Sequence, residues 1–150
     1  MSSQKGVALL VGAGDAIGAA VGRRFAAGGY TVCFARRSGE KAAPHVERIV
    51  AAGGRAHGLS VDARDEAAVM GLFETVERDI GPIEVCLFNA GANTHRPALE
   101  TSGDLYEKVW RLACFAGFVT GREAVRRMAP RGAGTLLFTG ATASMRGGPG

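Results

Sequence analysis

The sequence predicts an α/β domain in which a parallel β-sheet carries helices on both faces. Three observations lead there. Short apolar segments alternate with longer segments of helical periodicity. The apolar segments are continuous, as strands buried on both faces require. The first of them runs directly into a glycine-rich turn that opens a helix. Composition agrees, because 47 % hydrophobic and 21 % charged residues over 150 positions exclude a disordered chain.

Taken in order, Gly6 to Val11 (GVALLV) is short, carries β-branched Val7 and Val11 and is followed by glycines, which argues strand over helix. In Ile17 to Ala27, Ile17, Val21 and Phe25 recur at helical spacing, and Gly28-Gly29 stops the helix. Tyr30 to Ala35 is the second strand. Lys41 to Ala52 is helical, with Val46, Ile49 and Val50 on one stripe, and Arg55 to Val61 is a third, weaker strand. Asp65 is placed to cap a helix whose apolar stripe is Val69, Leu72, Phe73, Val76 and Ile80. Ile83 to Phe88 is the fourth strand and Asn89 to Pro97 a loop. Thr101 with Asp104 has the spacing of a capping box before a long helical pattern, in one or two pieces, that reaches Met128. Pro130 to Gly134 forms a turn, Thr135 to Thr139 the fifth strand, and Gly140 to Gly150 has loop chemistry. Right-handed crossovers and the position of the glycine turn predict five parallel strands in the spatial order 3-2-1-4-5.

The chemistry concentrates in ALLVGAGDAIGAAVGRRFA. A strand, a glycine turn and a helix in direct succession bring backbone N–H groups of a helix N-terminus to the carboxyl edge of the sheet, where a phosphate is favoured. A Cβ at the closest approach would collide, and Gly12, Gly14 and Gly18 supply clearance; Asp15 and Ile17 lie in the same turn. Arg36 and Arg37 follow the second strand, where a bound dinucleotide places its adenosine ribose. Arginines there suit a 2′-phosphate and predict NADP over NAD, worth about 1–3 kcal/mol through charge-assisted bonds. Asp15 acts against that preference by placing negative charge near the phosphates. Asp62-Ala63 closes the third strand and bounds an adenine pocket, and Asn89-Ala90-Gly91 closes the fourth.

With these motifs in place the chain resembles the short-chain dehydrogenase/reductase family over all of its 150 residues. Val11 to Gly18 aligns with that family's TGxxxGxG loop, with Val11 for the Thr and Ala16 for the middle Gly. Asp62 aligns with its acid after the third strand, and Phe88-Asn89-Ala90-Gly91 with its NNAG, the first Asn lost. The resemblance implies a Rossmann-like three-layer sandwich that lacks the family's last strands. It implies an NAD(P)-dependent oxidoreductase moving a hydride between the nicotinamide and a carbonyl or alcohol. It assigns no catalytic residue within the chain: Cys114 stands at the family's Asn position, Ala141 at its Ser position, and the Tyr-x-x-x-Lys pair falls beyond Gly150. A register shift would offer Thr142 or Ser144 as the hydroxyl. A non-catalytic dinucleotide-binding or interaction protein is the rival reading. Neither Tyr30, which begins a strand, nor Tyr106, early in the helical region, suits the acid's role.

Net charge is +4 with the basic residues scattered, which argues against nucleic acid. His45, His57 and His95 have no metal-ligand spacing, and only His95 falls in a loop near the expected cleft. Three cysteines cannot all pair, and no long apolar stretch opens the chain or is long enough to span a membrane, so the expected location is cytoplasmic. Leu105, Val109, Leu112, Ala116 and Val119, widened by Phe115 and Phe118, form an apolar stripe expected to pair two copies through the helix from Leu105 to Met128. The family resemblance also implies an interface there.

Overall fold

The computed structural model describes residues 5–91 and 94–146. Its sheet has five strands, β1 (Val7–Val11), β2 (Thr31–Arg36), β3 (Arg55–Ser60), β4 (Ile83–Phe88) and β5 (Thr135–Phe138). Their order is β3-β2-β1-β4-β5 and every pairing is parallel, as the sequence predicts. The α-helices are α1 (Ile17–Ala27), α2 (Ala43–Ala51), α3 (Glu66–Asp79), α4 (Gly103–Trp110) and α5 (Ala116–Met128).

Alternation along β1 feeds two cores. Leu9 and Val11 join Val69, Phe73 and Val76 of α3 and Val119 of α5 on one face. Leu10 joins Val32 and Phe34 of β2 and Ile49 of α2 on the other, with Val21 and Phe25 of α1 packed against them. All five residues of β1 are buried, so this strand has no polar side chain to place and only its ends meet the loops.

Several boundaries differ from the sequence reading for local reasons. The second helix begins as a 3₁₀ turn at Gly39–Ala42, and regular α-helix starts at Ala43 with Pro44 in its first turn, where the missing N–H costs nothing. Asp65 does cap α3, its carboxylate accepting from the Ala68 N–H at 3.1 Å. Thr101 does not cap α4. The Ser102 hydroxyl takes that role by accepting from the Leu105 N–H at 3.3 Å, while the Thr101 hydroxyl donates to the Pro97 carbonyl at 3.0 Å and closes the preceding turn. The pattern up to Met128 is two helices joined by a π-helical segment, Arg111–Phe115. The supposed exposed stripe also divides: Ala116 and Val119 are buried in the chain's own core, Leu105, Val109 and Leu112 are half-buried, and Tyr106, Trp110, Phe118 and Val125 carry the exposed apolar surface. The tail contains a 3₁₀ turn at Thr142–Ser144; its last four positions, and 92–93 of the loop after β4, lie outside the described residues.

The turn after β1 holds the fold's tightest backbone approach. Gly12 has φ +81°, and a Cβ there would stand 2.3 Å from the Ala90 backbone nitrogen. Gly12→Ala is therefore expected to destabilise the fold by more than about 2 kcal/mol, through left-handed strain and displacement of the loop after β4. Urea denaturation measures it, and a loss under about 0.5 kcal/mol would contradict the packing described.

Candidate functional site

Strand order reverses between β1 and β4, so the connections leaving them diverge to opposite faces and open a crevice at their carboxyl ends. A cleft of about 440 Å³ lies there. Of the twelve residues that the sequence singles out for the cofactor, nine line it: Gly12, Gly14, Arg36, Arg37, Asp62, Ala63, Asn89, Ala90 and Gly91. Asp15, Ile17 and Gly18 do not. The Ile17 side chain is 54 % exposed outside the cleft. Gly18 serves packing, since a Cβ on it would come within 2.7 Å of the Ala13 Cα.

Backbone hydrogen bonds hold the glycine turn between the flanking strands. The Gly12 and Ala13 N–H groups both donate to the Ala35 carbonyl, at 2.9 and 3.2 Å. On the other side the Asn89 N–H donates to the Val11 carbonyl at 2.8 Å, and its side-chain amide to the Gly12 carbonyl at 3.2 Å. Asn89 thus supports the turn as well as lining the cleft. Helix α1 then begins without a side-chain cap, its Ala16 having nothing to offer. Among the described residues no backbone carbonyl accepts from the Ile17 or Gly18 N–H. Gly14 stands above this helix end, and a Cβ on it would meet no atom within 4 Å. Its clearance faces the cleft, which gives a ligand phosphate the close approach that its glycine permits. The residues present therefore fit the phosphates of a dinucleotide.

The far end of the cleft is cationic. Arg36 and Arg37 are joined there by Ser38 and Lys41, neither of which the sequence singles out for the cofactor. The signal available was the short basic run Arg36-Arg37 followed by Lys41 before the second helix. The Gly39 N–H donates to the Ser60 hydroxyl at 3.0 Å and holds this loop against the end of β3. Asp62 faces the same end but is committed to Arg64, which donates to it from Nε at 2.9 Å, from Nη2 at 2.6 Å and from its backbone N–H at 3.0 Å. Those bonds pull the Asp62 carboxyl down to about 2. Asp15 lies outside the lining but reaches it indirectly, through a hydrogen bond from Arg36. That bond, and a second one to His45, hold its carboxyl below the usual range.

The positions that the family resemblance reserves for catalysis are elsewhere. Cys114 is exposed on the π-helical segment and lines a second, mostly apolar groove of about 500 Å³ with Phe118, Val125 and Phe138. Ala141 is exposed after β5, and the Ser144 hydroxyl is spent on its carbonyl at 2.7 Å. Tyr30 stacks edge-on against Phe25 and Tyr106 is 68 % exposed on α4. His95 is exposed and not part of the cleft lining. Cys33 and Cys86 are buried in β2 and β4, and burial pushes both thiols up to about 12, which makes them packing residues. No group of three or more His, Cys, Asp or Glu side chains among the described residues could hold a metal ion. No described helix is long and apolar enough to cross a membrane.

Known proteins share this arrangement. The profile of the short chain dehydrogenase family matches residues 6–150. The chain belongs to that family. The 4-formylbenzenesulfonate dehydrogenase of Comamonas testosteroni is 31 % identical over 152 residues, covering 100 % of this chain and 60 % of the relative. A short-chain reductase of Streptomyces niveus is 39 % identical over 102 residues, covering 68 % of this chain and 38 % of its own length. Among solved structures, a short-chain dehydrogenase from Rhodopseudomonas palustris superposes with a TM-score of 0.91 at 50 % identity, over 97 % of this chain and 68 % of that one. A variant of actinorhodin polyketide ketoreductase, crystallised with NADPH, superposes with a TM-score of 0.91 at 26 % identity over 99 % of this chain and 58 % of its own. The chain thus spans 60 % and 38 % of the lengths of these two curated relatives. Those relatives are oxidoreductases, and the family uses a nicotinamide cofactor.

The Asp62–Arg64 pair has a testable pH signature. A depressed carboxyl contributes stability that is full above the unfolded value of about 3.9 and is lost as pH falls through the folded value. Here the window is from about pH 4 down to about 2, and the effect is small because both side chains are more than a third exposed. Carboxyl ¹³C NMR is expected to show Asp62 titrating below about pH 3 and returning toward 3.9 in Arg64→Ala. An ordinary midpoint in the unmodified chain would refute the pairing.

Proposed function

We propose that the chain binds NADP(H) in the cleft between β1 and β4, as the cofactor-binding part of an oxidoreductase that interconverts a carbonyl and an alcohol. The observation that carries the reading is the uncapped N-terminus of α1 beneath Gly14, whose missing Cβ leaves the cleft open above it. The donors at that helix end would hold the phosphates, supported by the helix dipole. Arg36, Arg37 and Lys41 line the end suited to the adenosine ribose, with Asp62 bonded to Arg64. That set favours a 2′-phosphate over a free hydroxyl. Asn89, Ala90 and Gly91 border the opposite end, where the nicotinamide would lie. When bound, the cofactor supplies or accepts hydride; the chain's residues position it.

A second reading, that the chain binds a dinucleotide without turnover, is favoured by Cys114 and Ala141 standing at the family's Asn and Ser positions. Reduction of a carbonyl needs a group that protonates the forming alkoxide, and general acid catalysis is typically worth 10²–10⁴-fold. No described side chain of the cleft offers one: its ionisable members are arginines, Lys41 and the ion-paired Asp62. The substrate class and a homo-oligomer belong to the same proposal. Tyr106, Trp110 and Phe118, exposed on α4 and α5, are the residues through which two copies would pair, and sedimentation at tens of micromolar tests it, a monomer rejecting the pairing.

Binding and turnover are expected to separate. In a fluorescence titration the 150-residue chain should bind NADPH more tightly than NADH. Gly14→Ala should weaken both at least about ten-fold while changing stability by less than about 0.5 kcal/mol, because its Cβ enters only the cleft. NADPH oxidation across a panel of carbonyl compounds should stay at the no-enzyme rate. Tighter NADH binding would overturn the 2′-phosphate assignment. Turnover above background would overturn the non-catalytic character of this chain and make His95 the first residue to mutate.

A further inference from the structure

The two edges of the sheet differ in kind. β3, at one edge, carries exposed Arg55 and His57 and a glycine at position 58. Charge and weak strand formers discourage a second chain from adding to an edge. β5, at the other, reads Thr135-Leu136-Leu137-Phe138, and no residue between Arg131 and Arg146 is charged. Among the described residues no strand pairs with its outer side. The Thr139 N–H donates inward, to the Phe88 carbonyl at 2.9 Å. Alternate residues of a parallel strand serve opposite neighbours, so Leu137 bonds to β4 as Thr139 does. The N–H and C=O groups of Leu136 and Phe138 therefore point outward. Apolar side chains flank them. Leu136 and Phe138 face Gly121 of α5, and Phe138 is 55 % exposed. Phe118 and Val125, 60 % and 53 % exposed, line the same groove. Leu137 projects from the opposite face of the sheet and is 40 % exposed. Arg122 also borders the groove but is paired with Glu66 at 2.7 Å, so it brings no free charge.

We propose that the outer edge of β5 is a contact surface for a second copy of this chain, the two β5 strands pairing antiparallel about a two-fold axis at Leu137. The inference goes beyond pairing through α4 and α5: Tyr106 and Trp110 take no part, and Phe118 only borders the strands. The outward groups lie one residue on either side of Leu137, so the strand is complementary to itself. Leu136 of each copy exchanges two hydrogen bonds with Phe138 of the other, four in all. Leu137 then faces its own counterpart as a non-hydrogen-bonded pair, with Cα atoms about 4.5 Å apart. On the α5 face each Phe138 lies beside the other copy's Leu136 and closes the groove. A charged peptide would find no opposite charge to select it, whereas a second β5 brings matching donors, acceptors and apolar surface. Because β3 is defended, pairing at β5 leaves no second open edge, and assembly closes at two copies instead of growing. Area sets the strength. Phe118 and Phe138 offer roughly 100 Å² each at their exposures, and the whole patch roughly 500 Å² per copy. A stable interface needs about 800 Å² per partner. The dimer is therefore weak, with a Kd of about 10–100 μM.

Disulfide trapping in the full 150-residue chain tests the register. A Cys114→Ser background removes the exposed native thiol. With oxidised glutathione as oxidant and the protein at about 100 μM, Leu137→Cys should be mostly linked into dimers, because the paired positions lie within bridging distance. Thr135→Cys should stay unlinked, since antiparallel pairing about Leu137 sets its two Cα atoms about 13 Å apart. Sedimentation equilibrium should show dimers of the unmodified chain. Leu137→Lys sets two like charges face to face and should weaken them at least about ten-fold. Trp110→Ser should change their Kd by about two-fold or less. Circular dichroism confirms that each variant is folded. Equal linking of Thr135→Cys and Leu137→Cys, or a dimer that Leu137→Lys leaves intact, overturns the edge pairing. A dimer lost in Trp110→Ser and kept in Leu137→Lys also overturns it and leaves pairing through the helices standing. A chain that is monomeric at about 500 μM and forms no cross-link overturns both.

Discussion

The turn after β1 is pinned by the strands on either side of it, and the candidate site depends on that constraint. Ala35 accepts two N–H groups from the turn, and Asn89 returns one bond to Val11 and another to the Gly12 carbonyl. Because β1 lies between two parallel neighbours and is wholly buried, the chain can leave it only through this gap. The gap admits a positive φ and no Cβ, which fixes glycine at position 12. Once the turn is fixed, so are the start of α1 beneath Gly14 and the crevice above β1 and β4. The clamp from the Gly39 N–H to the Ser60 hydroxyl does the same for the cationic end. The rim of the cleft is therefore set by backbone, and its chemistry by a few side chains projecting from it.

Much of this was legible in the sequence because it depends on neighbours in the chain. Strand and helix positions follow from apolar runs and from residues recurring at helical spacing, and Ile83 to Phe88 matches β4 at both ends. The parallel order followed from alternation and handedness. Capping was read less well at α4, where Thr101 and Ser102 are adjacent hydroxyls. Either could cap on sequence grounds, and the choice was made by the Pro97 carbonyl, which lies within reach of Thr101. The π-helical segment leaves no mark in periodicity, since one extra residue in a turn is invisible against scattered apolar positions.

The stripe from Leu105 to Val119 shows a different limit. Periodicity identifies a face and does not say what covers it. Ala116 and Val119 serve the chain's own sheet, while Trp110 and Phe118, on another side of the same pair of helices, are the exposed ones. Likewise, the pairing of Asp15 with Arg36 and His45 spans 21 and 30 positions, and only the fold brings them together. Asp15 is notable in sequence only as a charge in a glycine turn.

The distribution of the three cysteines has a practical side. Two are sealed in the sheet with thiols that stay protonated, and the third stands on the surface beside an apolar groove. A maleimide or a spin label added to the folded 150-residue chain would therefore mark a single place without any substitution. That place is the junction of α4 and α5, next to the end of β5. The unaltered sequence thus provides its own reporter, one that senses whatever comes to lie against that side of the sheet while the cleft between β1 and β4 is left untouched.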